Sequence, residues 1–501
     1  MMSQSSVVDR LTRSELVQPF IGGQRAIPRD GATFDVVNPA TEESISKVVQ
    51  SDVSHIDDAV DAARAAQAEW ARMTPARRGE LLWRWGDLLT RHAEDIAAVE
   101  TIEIGKAIRD SGPEAKRLSR TAQYWAGMAD KILGTQMPIM PGALTYTTRE
   151  PVGVVGSITP WNGPAASTVS RISSVLACGN AIVLKPSEWS SFSAGFLAEL
   201  TVEAGMPAGL VNVVTGDGSV GSMLASHPGV GAIRFTGSVA TGRKVALAAA
   251  PSFKQVVLEM GGKSPTIVFD DAMLDAALRG TVWGVFLNAG QICCAGTRLL
   301  VQESIADEFV TQLASLSKRV KVGDPFDPAN HLGSVASRQQ CEKVTEYIAT
   351  GVAEGAEIVA GGGRPNGSGS KGFFISPTVF RGVESGMRIA QEEIFGPVLT
   401  VLTFKDEEQA LSIANGTEYG LAATVWTQDV SRMLRMADRL EAGSIWCNTA
   451  RLMDPGLPFG GFKESGLGNS RGEGAIAGST KIKSVTIHYD PSVRTPGWDD
   501  L

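Results

Sequence analysis

A short stretch of small residues carries a thiol that could act as a nucleophile. Cys293 is followed by Cys294 in the segment Asn288-Ala289-Gly290-Gln291-Ile292-Cys293-Cys294-Ala295-Gly296. Upstream, Glu259 ends an apolar run and precedes Met260-Gly261-Gly262. Taken singly, a buried cysteine is usually structural, and a glutamate before two glycines can simply end a strand. Together, a thiol and a carboxylate in these contexts predict covalent catalysis assisted by a base.

Five short β-branched runs, separated by helical segments, must position these residues. They are Val152–Ile158, Ala181–Lys185, Val211–Thr215, Ala232–Thr236 and Val256–Glu259. Runs that are apolar on both faces and alternate with helices predict a parallel, doubly wound sheet. Such a sheet binds ligands beyond the carboxyl ends of its strands, where this chain places polar side chains. These strand-end segments are Thr159-Pro160-Trp161-Asn162, Lys185-Pro186-Ser187-Glu188 and Phe235-Thr236-Gly237-Ser238.

A second alternating unit follows Cys293 and predicts another α/β domain. Its predicted strands are Arg298–Val301, Glu357–Ala360, Val398–Phe404, Ala422–Trp426 and Ser444–Cys447. Its predicted helices lie near Ala306–Val320, Glu407–Asn415 and Ser431–Leu440.

Other segments precede the first sheet or stand apart from both units. Short strands are expected between Phe20 and Val37. Ser54-His55-Ile56-Asp57 is interpreted as a capping box for a helix that runs to Met73, and Thr74-Pro75 opens a second amphipathic helix. Met137–Arg149 and Lys481–Tyr489 are expected to be extended. Because an isolated hairpin and a lone strand are unstable, both are predicted to pair with another subunit.

Composition argues against several classes of protein. A chain of 501 residues should form two or three domains, and a net charge of −8 without basic runs argues against a nucleic-acid surface. The five cysteines and five histidines are scattered, without a disulfide framework or metal-ligand spacing. No signal-peptide core and no membrane-spanning apolar run are evident. We therefore expect a cytoplasmic protein with no metal site and no membrane or nucleic-acid partner.

Seven segments, in order along nearly the whole chain, resemble the motifs of the aldehyde dehydrogenase superfamily, of the NAD(P)-dependent, non-acylating type. They are Pro160-Trp161-Asn162, Lys185-Pro186-Ser187-Glu188, Phe235-Thr236-Gly237-Ser238, Glu259-Met260-Gly261-Gly262-Lys263, Gly290-Gln291-Ile292-Cys293, Glu392-Glu393-Ile394-Phe395-Gly396-Pro397 and Pro458-Phe459-Gly460-Gly461. The resemblance implies an α/β fold: a Rossmann-like doubly wound parallel sheet, a second α/β catalytic domain and a small β oligomerisation element. The implied boundaries are 1–132 and 152–258 for the dinucleotide-binding domain, 259–463 for the catalytic domain, and 133–151 and 478–501 for the oligomerisation element. A homodimer or homotetramer is expected.

The resemblance also implies a reaction and assigns roles to three residues. Cys293 would attack an aldehyde to form a thiohemiacetal, whose oxyanion would accept hydrogen bonds from the Asn162 amide and the Cys293 backbone N–H. Hydride transfer to NAD or NADP would leave a thioester. Glu259 would activate the water that hydrolyses this thioester to a carboxylic acid.

The same resemblance implies a set of cofactor contacts. These residues are Thr159, Pro160, Trp161, Lys185, Ser187, Glu188, Phe235, Thr236, Gly237, Ser238, Gly261, Glu393 and Phe395. The turn from Gly237 to Gly242 matches neither G-x-G-x-x-G nor a P-loop, but between a strand and a helix it still offers backbone N–H groups to a pyrophosphate. A carboxylate at Glu188 favours NAD over NADP because it accepts hydrogen bonds from ribose hydroxyls and repels a 2′-phosphate. Lys185 would soften that preference.

The expected substrate tunnel combines small residues after Asn162 with the loop before Pro458. Its predicted lining is Gly163, Ser167, Ser170, Leu287, Ile292, Cys294, Arg451, Met453 and Phe459. Many relatives carry bulky groups after Pro-Trp-Asn, so the small residues here favour a bulky or aromatic aldehyde. The alternative is that a larger side chain from elsewhere in the chain narrows the tunnel again. The candidates are Trp283, Leu287, Leu452 and Met453. Arg451 either binds a substrate carboxylate or is a surface charge that pairs with Asp454.

Two other functional classes stay open. A cysteine hydrolase could use Cys293 with Glu259, although such enzymes usually need a histidine. A binding protein on the same scaffold would have no reason to keep both residues. Glu259 counts against the coenzyme-A-acylating branch, which commonly lacks such a base. Asn469-Ser470 replaces the Arg-Glu pair of many relatives, so a relay to Glu259 through that acidic residue is in doubt.

Overall fold

The first large sheet contains eight strands in the computed structural model, which describes residues 16–26, 31–365 and 371–490. Across the sheet these strands are Gly466–Leu467, Gln255–Glu259, Ala232–Thr236, Val154–Ile158, Ala181–Lys185, Val211–Val213, Phe20–Ile21 and Gln24–Arg25. The five central strands are parallel, and each outer strand is antiparallel to its inner neighbour. The predicted doubly wound sheet is confirmed.

Two strands of this sheet are shorter than predicted. The strand expected from Val152 begins at Val154, because Gly153 adopts a φ of 99° that breaks the extended backbone. The strand expected to reach Thr215 ends at Val213, because the Thr215 backbone N–H donates instead to the Ser51 hydroxyl, at 3.1 Å.

Eight helices pack with the first sheet. They are Val53–Arg72, Pro75–Arg91, Ala93–Ile104, Ile108–Met128, Pro164–Ala177, Ser191–Glu203, Gly218–Ser226 and Val239–Ala249.

The capping box predicted at Ser54 is wrong by two positions: the Asp52 carboxylate accepts from the His55 backbone N–H at 3.0 Å. Thr74 caps the next helix as predicted, and the apolar face of that helix is buried. Its buried residues include Leu81, Leu82, Trp85, Leu88 and Leu89.

The second large sheet has seven strands. Across the sheet they are Glu357–Ala360, Thr378–Arg381, Val398–Phe404, Arg298–Gln302, Pro265–Val268, Ala422–Trp426 and Ser444–Cys447. Its helices are Leu274–Phe286, Ala306–Lys318, Arg338–Ala353, Arg388–Gln391, Glu407–Asn415 and Val430–Arg439, with short 3₁₀ turns at Leu287–Gly290 and Glu303–Ile305. A third 3₁₀ turn, Ala250–Ser252, belongs to the first unit. The second α/β unit is confirmed. Sequence reasoning missed Pro265–Val268, which begins directly after the Gly261-Gly262 turn, and the four-residue strand Thr378–Arg381.

Three small sheets complete the fold. The first contains Leu16–Val17, Ser44–Val49 and Thr33–Val37, and the second pairs Tyr419–Gly420 with Phe462–Lys463. The third contains Thr480–His488, Ala143–Pro151 and Gln136–Met137. The premise that these last segments are isolated is wrong, because Thr480–His488 runs antiparallel to Ala143–Pro151 of the same chain along its full length. Thr480–His488 remains an outer strand of this sheet.

A buried arginine fastens the C-terminal segment to the first sheet. Arg234 is fully buried and donates to the Ser174 hydroxyl at 2.9 Å, to the Ala475 carbonyl at 2.6 Å and to the Ser479 hydroxyl. Ala475 belongs to the helix Gly472–Ala477, which leads into the last strand. Burial lowers the pKa of Arg234 to about 9. Because this value lies above neutral pH, the guanidinium stays charged, and its hydrogen-bond partners take the place of water. Within the described ranges, no helix has the length and apolar character needed to cross a membrane.

Replacing Arg234 should loosen this C-terminal attachment. We expect Arg234→Met to lower the free energy of unfolding by about 3 kcal/mol, because charged hydrogen bonds are lost and their buried partners are left unpaired. The midpoint of urea denaturation measures the change. Arg243→Met is the matched control, since Arg243 only pairs with Glu464 at the surface and should cost less than about 1 kcal/mol. Equal losses of unfolding free energy in both variants would contradict the proposed role of Arg234 in holding the C-terminal segment.

Candidate active site

The strand end that carries Glu259 and the loop that carries Cys293 touch through their backbones. Gly262 packs so closely on the loop that a Cβ atom there would lie 2.8 Å from the Cys293 carbonyl oxygen. A larger residue at 262 would push the two segments apart, so this approach requires glycine. The predicted carboxylate segment and the predicted thiol segment therefore meet at one site.

The backbone before Cys293 is strained. Asn288, Ala289 and Gly290 are all left-handed, with φ values of 52°, 53° and 72°. For a residue with a Cβ this conformation costs roughly 1–2 kcal/mol. Hydrogen bonds hold the turn: the Asn288 amide donates to the Asn162 carbonyl at 2.9 Å, and the Gln291 amide donates to the Asn288 carbonyl at 3.1 Å. Surrounding contacts thus fix the direction in which the chain enters Cys293.

Asn162 is bonded to the same loop. Its side-chain amide donates to the Gln291 carbonyl at 2.9 Å, and the residue is half-buried. An amide nitrogen carries two N–H groups. Hydrogen bonds between described residues use only one of them here, which leaves the second for a group bound beside Cys293.

The two adjacent thiols differ in their surroundings. Cys293 is half-buried, whereas Cys294 is 2 % exposed. Contact with the Cys294 thiol, reinforced by burial, raises the pKa of Cys293 above its usual range. An attack by the Cys293 sulfur would therefore require the loss of its proton in the same step.

Glu259 has the environment of a base that works near neutral pH. It is 4 % exposed, and burial raises its pKa to about 7 against the opposing charges of Arg171 and Arg471. Neither carboxylate oxygen has a hydrogen-bond partner of good geometry among the described residues, although Ser470 faces the group. A buried carboxylate without fixed partners is free to accept a proton from a bound water.

The closing segment of the chain holds the backbone around Glu259. Gly466–Leu467 pairs antiparallel with Leu258 and Glu259. The Met260 backbone N–H donates to the Ser465 carbonyl at 2.9 Å, and the Ser465 hydroxyl donates to the Gly261 carbonyl at 2.7 Å. Sequence reasoning missed this support, because a strand of two residues carries no periodic signal.

Arg171 is a second residue that sequence reasoning missed. It lies on the helix Pro164–Ala177, is 4 % exposed, and donates to the Thr236 hydroxyl at 2.7 Å. Its second terminal nitrogen is buried without a partner among the described residues, and its charge acts on Glu259. The sequence did offer one signal for a functional role of Arg171, because an arginine among the apolar residues of a helix is unusual.

The predicted cofactor residues of the first sheet lie side by side. Thr236 is paired with Glu259 across adjacent strands, and the Thr159 backbone N–H donates to the Lys185 carbonyl at 3.0 Å. Lys185 is buried, and its amino group lies 3.6 Å from the Glu188 carboxylate. Ser187 also donates to Glu188, at 3.3 Å. This end of the sheet thus presents one amine and one carboxylate together.

The turn after Phe235 opens directly into a helix. Ser238 is exposed and caps the helix Val239–Ala249 by accepting from the Thr241 backbone N–H at 3.3 Å. A Cβ atom at Gly237 would lie 2.6 Å from the Phe235 ring, so the turn must be glycine to pass that ring. The free N–H groups of this helix end favour an anion.

Glu393 and Phe395 reach the site from the second sheet. The Glu393 carboxylate accepts from the Gly262 backbone N–H at 3.0 Å, and Gly261 leaves no room for a side chain beside it. The Phe395 ring lies edge-on to the Trp161 ring, with centroids 5.2 Å apart. These contacts bring Trp161, Glu393 and the Cys293 loop together, as the prediction required; Pro160 lies half-buried in the same turn.

Most of the predicted substrate lining surrounds the thiols. Ile292, Cys293, Met453 and Phe459 pack against a buried cluster of Cys294, Leu421, Ala422 and Trp446. Half-buried small residues occupy one face of the neighbouring helix, at Gly163, Ser167 and Ser170. Leu287 is also half-buried, at the end of the helix before the strained turn.

Two of the residues proposed to fill the tunnel are largely exposed. Trp283 is 48% exposed and Leu452 is 64% exposed, so both lie mainly at the surface. The interpretation that Arg451 pairs with Asp454 is wrong, because Asp454 bonds to Arg120 at 2.5 Å.

Comparison with known proteins identifies the family. The chain matches the family model described as the aldehyde dehydrogenase family over residues 27–485. A curated aldehyde dehydrogenase of Emericella nidulans is 44% identical over 473 residues, which cover 94% of each chain.

Solved structures have the same fold. The NAD+ complex of Bacillus cereus aldehyde dehydrogenase superposes with a TM-score of 0.95 at 38% identity, covering 97% of this chain and 99% of that one. PnpE in complex with nicotinamide adenine dinucleotide superposes with a TM-score of 0.93 at 40% identity, covering 95% of this chain and 98% of that one. The chain belongs to the aldehyde dehydrogenase family.

Proposed function

We propose that this protein oxidises an aldehyde to a carboxylic acid, with NAD as the hydride acceptor and Cys293 as the nucleophile. The observation that carries the proposal is the contact between Gly262 and the Cys293 carbonyl, which sets a thiol beside the segment of a buried carboxyl, Glu259, with a pKa of about 7. The relatives captured with NAD support the choice of cofactor.

The residues at the rim of the first sheet fit a dinucleotide. Lys185 and Glu188 offer an amine and a carboxylate to ribose hydroxyls, and the helix end at Ser238 offers N–H groups to phosphates. Glu393, whose carboxylate is anchored on Gly262, would hold a second ribose near Cys293. When bound, NAD supplies the hydride acceptor. The carboxylate of Glu188 favours NAD over NADP.

The first chemical step belongs to Cys293. Its sulfur bonds to the carbonyl carbon while its proton passes to solvent water, and the carbonyl oxygen becomes an oxyanion. The unused N–H of Asn162 and the Cys293 backbone N–H donate to that oxygen, and loss of one such donor typically costs about 10²–10³ in rate. Asn288 and Gln291 position both donors through the hydrogen bonds that fix the strained turn.

The second chemical step belongs to Glu259. Once hydride has left, the acyl group is held on Cys293 as a thioester. The Glu259 carboxylate takes a proton from water, whose oxygen attacks the thioester carbon, and the Cys293 sulfur leaves with a proton. Arg171 and Arg471 offset the burial that would otherwise keep Glu259 protonated.

The finer expectations extend this proposal. The small residues Gly163, Ser167 and Ser170, with Trp283 at the surface, favour a bulky or aromatic aldehyde.

The exposed apolar residues Ile482 and Ile487 on the strand Thr480–His488 favour a homodimer or homotetramer built on the third small sheet. We propose the same three-part division of the chain, with Gly466–Leu467, which pairs with the first sheet from beyond 463, added to the dinucleotide-binding domain. Five free cysteines suit the reducing cytoplasm.

Removal of the Cys293 sulfur should abolish turnover but spare cofactor binding. We expect Cys293→Ala to give no NADH from benzaldehyde, and to bind NAD with unchanged affinity by calorimetry, because the ribose and phosphate contacts lie on other segments. Cys341→Ala is the control, since Cys341 is a half-buried free thiol that packs against the core of the second sheet. Persistent dehydrogenase activity in Cys293→Ala would exclude the proposed nucleophile.

Neutralising Glu259 should separate the two chemical steps. In Glu259→Gln we expect a rapid burst of NADH equivalent to one active site, followed by a steady rate about 10²–10⁴ lower than wild type. Stopped-flow absorbance of NADH measures both phases. A variant that is slow without any burst would show that Glu259 serves the attack by Cys293 instead.

The rate of the second step should depend on pH through Glu259. Because only the ionised carboxylate accepts a proton and its pKa is about 7, the steady rate should be full above neutral pH. Below pH 7 the rate should fall about tenfold per pH unit. The post-burst rate of wild type, measured with rapid mixing, tests this, and Glu259→Gln should show no such inflection. An inflection near the ordinary glutamate pKa would contradict the proposed environment.

A further inference from the structure

Arg451 lies in a loop that is fixed at both ends. At one end, the Asn448 amide donates to the Thr427 carbonyl at 2.9 Å. At the other, the Trp446 indole donates to the Leu452 carbonyl at 3.1 Å. Arg451 itself is left-handed, with a φ of 51°, which an arginine adopts only when its surroundings impose it. The position of its guanidinium is therefore determined by the fold.

The guanidinium of Arg451 lies between the surface and the thiols. Its central carbon is 5.4 Å from the centroid of the Trp283 ring, a cation–π contact, and Trp283 is 48% exposed. The same side chain reaches the buried thiol of Cys294, next to the nucleophile. Its Nε atom is buried and has no hydrogen-bond partner among the described residues. A buried N–H donor without a partner costs about 1–3 kcal/mol, which a bound acceptor would recover.

The carboxylates near Arg451 are already bonded to other cations. Asp454 bonds to Arg120 at 2.5 Å. Glu114, beside Gly163 at the tunnel, bonds to Lys106 at 2.8 Å. Among the described residues Arg451 forms no salt bridge of its own. Arg451 is thus a cation at this part of the tunnel that no carboxylate holds in a direct pair. Arg471, which contacts Met453 and lies over the Phe459 ring, is a second cation nearby.

We propose that Arg451 binds a carboxylate of the substrate, so that the enzyme prefers aldehydes that carry a carboxylate at the end remote from the carbonyl. The inference rests on the proposed function, because it concerns the same pocket. A guanidinium presents two parallel N–H donors that match both oxygens of a carboxylate. The Trp283 ring keeps that fork in place and covers one of its faces. The half-buried small residues Gly163 and Ser167 leave room for a ring between the carbonyl and the carboxylate.

A matched pair of aldehydes tests the proposal. 4-Carboxybenzaldehyde carries the charge, and methyl 4-formylbenzoate is a neutral compound of similar shape. We expect the ratio of their kcat/KM values, carboxylate over ester, to be about 10–100 in wild type, since a hydrogen bond to a charged group contributes about 1.5–3 kcal/mol. In Arg451→Met the ratio should fall to about 1, and in Arg451→Lys to an intermediate value, because lysine keeps the charge without the fork.

A ratio is insensitive to the fraction of enzyme that folds, and all three side chains meet the same backbone strain at 451. Arg117→Met is the control for general electrostatics. Arg117 is exposed, acts on Glu114 as Arg451 does, and its removal changes the local charge equally. The ratio in this variant should stay within about twofold of wild type, as for a screened surface charge.

The outcomes separate this inference from the proposed function. If benzaldehyde and the ester reduce NAD but the carboxylate has no advantage, or if Arg451→Met keeps the wild-type ratio, the role of Arg451 is excluded and the dehydrogenase assignment stands. An equal fall in Arg117→Met would also exclude it, because a diffuse field would then explain the preference. If no aldehyde reduces NAD, the proposed function and the inference both fail.

Discussion

The close approach of the Gly262 backbone to the Cys293 carbonyl is the constraint on which the rest of the site depends. It joins the two large sheets at the candidate active site, because residue 262 leaves the first sheet and residue 293 leads into the second. Two buried basic side chains hold this junction. Lys263 donates to the Glu392 carbonyl at 2.7 Å, and Arg298 donates to the Lys263 carbonyl at 2.8 Å. Gly262 sets the distance between the two segments, and the hydrogen bonds of Lys263 and Arg298 oppose any movement that would lengthen it.

Electrostatic balance gives each reactive group its role. Burial alone would keep Glu259 protonated and Cys293 a thiol, which would leave the site without a base. Arg171 and Arg471 oppose that effect at Glu259 and hold its pKa at about 7, close to the pH at which a general base is most useful. Arg171 is itself buried and bonded to Thr236, next to Glu259 across the strands. Arg171 thereby connects the predicted cofactor-binding end of the first sheet to Glu259.

The sequence was informative where a residue's type or spacing is distinctive. Regular apolar runs predicted the five parallel central strands of the first sheet and five of the seven strands of the second. The strand ends predicted that Lys185, Thr236 and Glu259 would share one rim. Features that depend on contacts between distant segments could not be predicted. The two-residue strand Gly466–Leu467 has no periodic signal, yet it holds the edge beside Glu259. The terminal strand Thr480–His488 looked unpaired because its partner lies more than three hundred residues earlier. Arg451 illustrates the same limit, since only the fold shows that Asp454 belongs to Arg120.

The central claim is that the reaction passes through an acyl group on the Cys293 sulfur. The most direct measurement is mass spectrometry of the Glu259→Gln protein, quenched in acid after mixing with NAD and benzaldehyde, followed by peptide mapping. We expect the mass to increase by one benzoyl group in place of one hydrogen, with the modification on Cys293 and dependent on NAD. An unmodified protein after a full turnover of NADH, or a benzoyl group found on Cys294 instead, would contradict the claim.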